Sequence, residues 1–281
     1  MTSRRAVIGG LAAAGFASPA LARAPRRIVS LNNCLDAQVV HLADRGQIAA
    51  LSHWARETQG STISKLALTL PFTWETAEEV IALRPDLVLT SQHSSLATRN
   101  ALKRLNIPTE LFGVPNSVAE SFAQIDRIAG LVGRPHRGEA LKARIRAALA
   151  AGAAPAGFKP LSAVVFQPNG FAAGKGTLMD EMMTRCGFTN VAARYGLDKW
   201  GNVSLEKLLA DPPEVLLAGE PAPGAMTWAD RVMVHPALKS IAHRMRVETL
   251  PERLLYCGGP VLIITAATLA DARRSVMKAR A

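Results

Sequence analysis

The sequence predicts an α/β protein of two lobes, each built on a central, mostly parallel sheet flanked by helices and joined by one long helix. Three observations carry this reading. The stretch Glu78 to Leu89 (EEVIALRPDLVL) aligns without a gap on Glu206 to Leu217 (EKLLADPPEVLL), 128 residues further on. A helix, a proline turn and an apolar strand repeated half a chain apart are what two similar lobes would leave in a sequence. Short apolar runs alternate with helical stripes, the pattern of buried parallel strands and their crossover helices. A single long helical stretch, 134–152, separates the two sets.

Length and composition agree. At 281 residues the chain is long enough for two domains, and 49% hydrophobic residues supply a core. The formal charge of +11 is spread along the chain, without a lysine- or arginine-rich run and without aromatic–basic interleaving, which argues against nucleic acid. Ser3-Arg4-Arg5, the small apolar run Ala6 to Phe16 and Ala20-Leu21-Ala22 resemble a twin-arginine export signal. Ala6-Val7-Ile8 stands where Phe-Leu usually follows the arginines, and an ordinary secretory signal would lead to the same place. Removal of residues 1–22 takes away two arginines and no acid, leaving 11 − 2 = +9. The expected organisation is therefore export signal 1–22, N-terminal lobe 23–133, connecting helix 134–152 and C-terminal lobe 153–281.

The elements follow in order. Arg27 to Leu31 is a strand ending at Asn32-Asn33-Cys34, and a helix follows with Val39, Leu42 and Ala43 on one face. Gln47 to Leu51 is a second strand, ending at Ser52-His53-Trp54. The stretch Ala55 to Trp74 reads as irregular. In the first repeat unit Arg84 precedes Pro85, which stops the helix before the strand ending at Ser91-Gln92-His93. A helix over Leu96 to Asn106 and a strand over Thr109 to Phe112 come next. Ser117 and Glu120 form a capping box for a helix striped by Val118, Phe122, Ile125, Ala129 and Val132. Pro135 opens the long helix, roughly 25 Å at 1.5 Å per residue. Leu161 to Phe166 restarts the pattern as a strand, followed by a turn at Gln167 to Gly170 and a helix over Thr177 to Arg185. The second repeat unit gives a strand ending at Gly219-Glu220-Pro221. Trp228, a helix over 235–242 and a strand leading to Tyr256-Cys257 precede the closing helix, which Pro260 opens.

Ligands of open parallel sheets bind outside the carboxyl ends of the strands. Those ends collect Asn33, His53, Trp54, Gln92 and His93 from the first lobe, and Asn169, Phe171, Tyr256 and Cys257 from the second. Trp74 and Trp200 stand just before the two repeat helices. Each alone is as readily a satisfied loop side chain or core aromatic. As a set they describe a pocket for a ring-containing or chelate ligand. Enzyme motifs fail: GFAAGKGT (Gly170 to Thr177) has the wrong spacing for a phosphate-binding loop, and no G-x-S-x-G, H-E-x-x-H or C-x-x-C is present. The three cysteines, Cys34, Cys186 and Cys257, have no zinc spacing and read as buried thiols, with a cleft role for Cys34 or Cys257 as the lesser reading. His53 and His93 alone are too few for a bare metal ion.

The export signal, the two lobes on one helix and the paired EEVIALRPDLVL / EKLLADPPEVLL resemble the periplasmic solute-binding proteins of ABC importers, in the subgroup serving ferric siderophores, haem and vitamin B12. The likeness runs from RIVSLNNCLDAQVVHLAD through QPNGFAAGKGTLMDEMMTRCGFTN to YCGGP. It implies a ligand held between lobes that rock about a stiff helix, and one glutamate per lobe docking onto permease arginines. By motif position these are Glu78 and Glu206, each in the first turn of its helix, where the dipole favours negative charge. The expected function is capture of a metal chelate in the periplasm, a ferric siderophore first, then vitamin B12 or another corrinoid, then haem, and delivery to a permease dimer by a monomeric, non-enzymatic protein without a cofactor. The mature charge favours an anionic chelate. The rivals are an exported cofactor-containing enzyme on the same fold, which lacks a nucleophile–base pair, and direct capture of bare zinc or manganese, which needs about four ligands.

Overall fold

The computed structural model describes residues 24–220, 236 and 244–280. The expected export segment 1–22, Trp228 and the greater part of the helix expected over 235–242 lie outside the described residues. Strands β1 (Ile28–Ser30), β2 (Ile48–Ser52), β3 (Phe72–Thr73), β4 (Leu87–Ser91) and β5 (Thr109–Phe112) form one sheet in the order β3-β2-β1-β4-β5, every pairing parallel. Strands β6 (Leu161–Phe166), β8 (Phe188–Asn190), β10 (Val215–Ala218) and β11 (Arg246–Thr249) form a second parallel sheet in the order β11-β10-β6-β8. Strands β7 (Phe171–Ala173) and β9 (Trp200–Asn202) make a separate antiparallel ribbon. β1, β4, β6 and β10 are buried throughout or nearly so, as their unalternating apolar runs require.

Among the described residues the helices include α1 (Asn33–Leu42), α2 (Ser64–Ala67), α3 (Ala77–Ala82), α4 (Leu96–Arg104), α5 (Val118–Leu131), α6 (Pro135–Gly152), α7 (Leu178–Arg185), α8 (Leu205–Ala210) and α9 (Val261–Lys278). The sequence repeat is also a structural one. α3 and α8 begin and end at positions offset by the same 128 residues, as do the starts of β4 and β10. Their caps correspond as well: Thr76 accepts from the Glu79 amide and Ser204 from the Lys207 amide. Before Pro85, Arg84 turns the chain at φ 47°, outside the α region that the proline disfavours. Three expectations change in detail. The stretch Ala55 to Trp74 contains α2 and the edge strand β3, both too short to leave a periodic signal. The ribbon strands β7 and β9 are equally short and alternate little. At α5 the Ser117 hydroxyl accepts from the Glu120 amide at 3.0 Å, but the Glu120 carboxylate accepts from the amide of Asn116 (2.7 Å), one residue outside a capping box.

The buried core is continuous between the two sheets. One cluster joins Ile28 and Leu89 of the first sheet to Val165 and Leu217 of the second through Ile125, Ile145 and Leu269 on α5, α6 and α9. α6 and α9 cross closely, for a Cβ on Gly152 would stand 3.0 Å from the Ala266 carbonyl oxygen. Buried Arg273 secures the crossing by donating to the carbonyls of Gly152 (3.1 Å), Ala153 (3.1 Å) and Cys186 (2.6 Å), which satisfies the end of α6.

The cysteines correct the sequence reading. Cys34 on α1 and Cys257 before α9 are joined in a disulfide across 223 residues, while Cys186 remains a buried thiol whose pKa burial pushes up to about 11. Next to the bridge, the Gly259 amide donates to Ser121 Oγ on α5 at 2.7 Å. Gly259 has φ +67°, and a Cβ there would meet Gln38 Cγ at 2.7 Å, so this loop requires glycine. The bridge restricts the unfolded chain over a very long loop. The double variant Cys34→Ser, Cys257→Ser should lose about 2–4 kcal/mol in urea unfolding. An unchanged midpoint would show that the bridge adds nothing to the packed loop.

Asp36 of α1 is fully buried and accepts from the Ser52 amide (3.3 Å) and hydroxyl at the end of β2. Burial outweighs these bonds and raises its pKa from 3.8 to about 8. Between those values the folded state holds a proton that the unfolded chain has released. The contribution of Asp36 is therefore complete below its unfolded value and declines as pH rises to about 8. Asp36→Asn should remove that part of the slope, read as the difference between the two proteins in urea unfolding over a pH series. Identical slopes would show that Asp36 is already ionised in the fold.

Candidate functional site

Parallel pairing places the carboxyl ends of β1 to β4 on one edge of the first sheet. Asn33 follows β1, His53 and Trp54 follow β2, Trp74 follows β3, and Gln92 and His93 follow β4. β2 and β3 are neighbours, so their end residues meet. The His53 ring lies 4.3 Å from Trp54 and 4.7 Å from Trp74, centre to centre. Trp54 and Trp74 remain 52% and 61% exposed, an unusual display for two indoles. Arg56 stacks over Phe72 at 3.8 Å and donates to the Leu70 carbonyl, which fixes the turn that carries His53.

A residue absent from the sequence reading completes this group. Glu75 has φ 68°, a left-handed conformation rare outside glycine. Its amide donates to Thr73 Oγ1 (3.0 Å) and its carbonyl accepts from Thr98 Oγ1 (2.8 Å), so neighbours on both sides hold the strained backbone. Its Oε1 stands 3.7 Å from His53 Nδ1, the two side chains being 12% and 17% exposed. Neither atom has a hydrogen-bond partner among the described residues. Burial raises the Glu75 pKa to about 7. In the sequence Glu75 reads as one more acid before α3, and nothing local marks its backbone. His53, Trp54, Trp74 and Glu75, with Thr98 and Arg104 of α4, line a cavity of about 610 Å³. Glu78 also lines it, exposed in the first turn of α3.

The second half contributes its own aromatic group. Phe171 on β7 and Trp200 on β9 stack at 5.7 Å and 12°, and Tyr256 lies 6.0 Å and 5.7 Å from them. Burial raises the Tyr256 phenol well above its ordinary range. Tyr256 is also where the halves meet, because it shares a small cavity with Asn32, Cys34, His93, Gly113 and Gln124 of the first half. Both aromatic groups thus adjoin the strand-end edge of the first sheet.

Other expected site residues are placed differently. Cys257 is 7% exposed and its sulfur is committed to Cys34, so it offers no thiol to a ligand. Asn33 donates its side-chain amide to the Gly60 carbonyl, which fixes the loop after the short turn at Trp54. Gln92 and His93 are exposed, with Gln92 Nε2 3.4 Å from His93 Nε2. His53 and His93 line different cavities, since β1 lies between their strands. Asn169 belongs to the turn Pro168–Gly170, and its side chain lies outside the described part. Glu206 is exposed in the first turn of α8, the position matching Glu78.

Comparison with known proteins places these features in a group. The family described as "Periplasmic binding protein" matches residues 28–244. No curated protein sequence matches the chain. Among solved structures, a periplasmic heme binding protein from Pseudomonas aeruginosa is similar at a TM-score of 0.70 and 21% identity, covering 88% of this chain and 92% of that one. A periplasmic vitamin B12 binding protein of Vibrio cholerae gives 0.65 and 17%, covering 90% and 98%. A protein of an ABC-type Fe3+-hydroxamate transport system from Saccharomonospora viridis gives 0.67 and 21%, covering 89% and 93%. At these identities the likeness is one of fold.

Proposed function

The chain belongs to the periplasmic binding protein family, and from that premise we propose that it captures a metal chelate between its two α/β halves and delivers it to an ABC importer. The observation that carries this reading is the pair of aromatic groups, one per half, at the strand-end edge of the first sheet. Exposed indoles bury large flat surfaces at low entropic cost, which suits a ligand with rings or conjugated faces. Among the described residues, no group of three or more His, Cys, Asp or Glu converges as a bare ion would need. On this reading the metal arrives with its own chelator. Arg104 at the cavity wall and the overall positive charge favour a ligand carrying carboxylates. Residues 1–22 direct the chain to the periplasm, and the mature form begins at Arg23.

The ligand is identified by the absorption spectrum and mass of what co-purifies from native periplasm. With it in hand, binding should quench tryptophan emission. Trp54→Ala and Trp200→Ala should each weaken binding by about 1 kcal/mol or more. Unchanged affinity in both variants would move the pocket elsewhere.

Delivery rests on Glu78 and Glu206, exposed at equivalent positions of α3 and α8. Exposed carboxylates contribute about 0–1 kcal/mol to folding, whereas charge-assisted pairs at a docked interface are worth more. Glu78→Ala with Glu206→Ala should leave folding nearly intact and abolish uptake in cells, and Glu206→Ala, away from the cavity that Glu78 lines, should leave ligand affinity nearly intact. Single variants should be intermediate, and Glu→Arg at either site should be worse. Normal uptake by the double variant would refute docking through these residues, and lost affinity would assign them to the pocket.

A further inference from the structure

Three cysteines allow three bridges, and chain order favours the two that the fold does not use. Cys186 lies 71 residues from Cys257 (257 − 186) and 152 from Cys34 (186 − 34), whereas the native bridge spans 223. The probability that a flexible loop closes falls with about the 3/2 power of its length. In an unfolded chain Cys186–Cys257 therefore forms about 5.5 times as often as Cys34–Cys257, and Cys34–Cys186 about 1.8 times as often. The native pair is then about one bridge in eight.

The folded chain reverses that order. Cys34 and Cys257 stand with their Cα atoms 5.0 Å apart. Cys186 is fully buried at the end of α7, its thiol donating to the Ala266 carbonyl of α9 at 3.8 Å. Ala266 lies about 7.5 Å along α9 from its first residue, so Cys186 stands away from the loop that carries Cys257. Burial also keeps Cys186 protonated, with a pKa of about 11, and the thiolate is the form that exchanges with a disulfide. The native sulfurs are brought together by contacts that need no covalent bond. The Gly259 amide donates to Ser121 Oγ, Arg273 ties α9 to the end of α6, and one apolar cluster runs from β1 to α9. Cys34 is half-buried and lines a cavity beside Tyr256, so an oxidant reaches its sulfur before the buried Cys257.

We propose that folding precedes oxidation in this protein: the native fold directs the Cys34–Cys257 bridge, and a chain oxidised while unfolded is trapped through Cys186 and becomes a substrate for a thiol–disulfide isomerase. The oxidant is a disulfide, RS–SR. The Cys34 thiolate attacks one of its sulfurs and releases RS⁻. The Cys257 thiolate attacks the Cys34 sulfur of the mixed disulfide and releases the second RS⁻. Two electrons pass from the cysteines to the oxidant, and the two thiol protons leave as RSH. Reshuffling needs no oxidant: an isomerase thiolate opens a wrong bridge as a mixed disulfide and is released unchanged when the native pair closes. On the export reading above, a route that carries folded chains delivers a chain ready to oxidise correctly. A threaded route exposes Cys34, Cys186 and Cys257 in that order, and Cys34 meets Cys186 before Cys257 has crossed.

The full mature chain tests this without any ligand. Reduced, folded, exposed to oxidised glutathione and then alkylated, it should give Cys34–Cys257 as the dominant disulfide peptide in mass spectrometry. Oxidised in concentrated guanidinium, it should hold that bridge in about one bridged chain in eight. After dilution the mispaired chains should lack native circular dichroism until a thiol–disulfide isomerase and reduced glutathione are added. Cys186→Ala, or the larger Cys186→Val where alanine leaves the site underfilled, permits one bridge only and should refold without the isomerase. In cells, a threaded secretory signal in place of residues 1–22 should make the wild-type yield depend on an isomerase and leave the Cys186 variant independent of it. A reduced chain that does not fold, a native bridge that dominates in guanidinium, or a folded Cys186 variant that still needs the isomerase would each overturn the proposal. None of these outcomes depends on what the cleft binds, so the proposed function and this inference fail separately.

Discussion

The direction of the strands is the constraint on which the rest depends. In each main sheet every pairing is parallel, so each strand ends on the same edge and each connection must return along a face. Polar side chains that would be costly between buried strands collect at that edge together with aromatic ones, where the backbone turns and the apolar cover stops. His53, Trp54 and Trp74 are neighbours because β2 and β3 are neighbours, not because they are close in sequence.

The edge is reinforced from beneath at some expense to stability. Asp36 ties α1 to the end of β2 through Ser52, and keeps a proton because burial disfavours its charged form. Glu75 is held by hydroxyls of Thr73 and Thr98 in a conformation it would otherwise avoid.

The halves are tied together by contacts additional to the connecting helix α6. α9 returns across α6, Arg273 satisfies the end of α6, and the Cys34–Cys257 bridge joins the start of α1 to the loop carrying Tyr256. The loop reaches α5 through Gly259 and Ser121. This loop supplies the aromatic residue shared by both halves, so its anchoring also sets where Tyr256 stands in the cavity.

The sequence by itself determined the α/β class, the paired helix–strand units, and the long helix beginning at Pro135. These follow from local periodicity, proline and capping chemistry, which act within a few residues. It also determined most of the strand-end residues, because apolar runs stop where polar ones begin. Only the tertiary structure decided which of those residues meet. It paired Cys34 with Cys257 where the sequence left buried thiols, and so removed Cys257 from the binding set. It gathered His53, Trp54 and Trp74 in one group and separated His93 from it. It also made Glu75 a partner of His53, because that contact depends on the neighbouring of β2 and β3 and on a left-handed turn held by Thr98 from α4. Such contacts are set by sheet order and long-range packing, and neither leaves a period, spacing or motif in the chain.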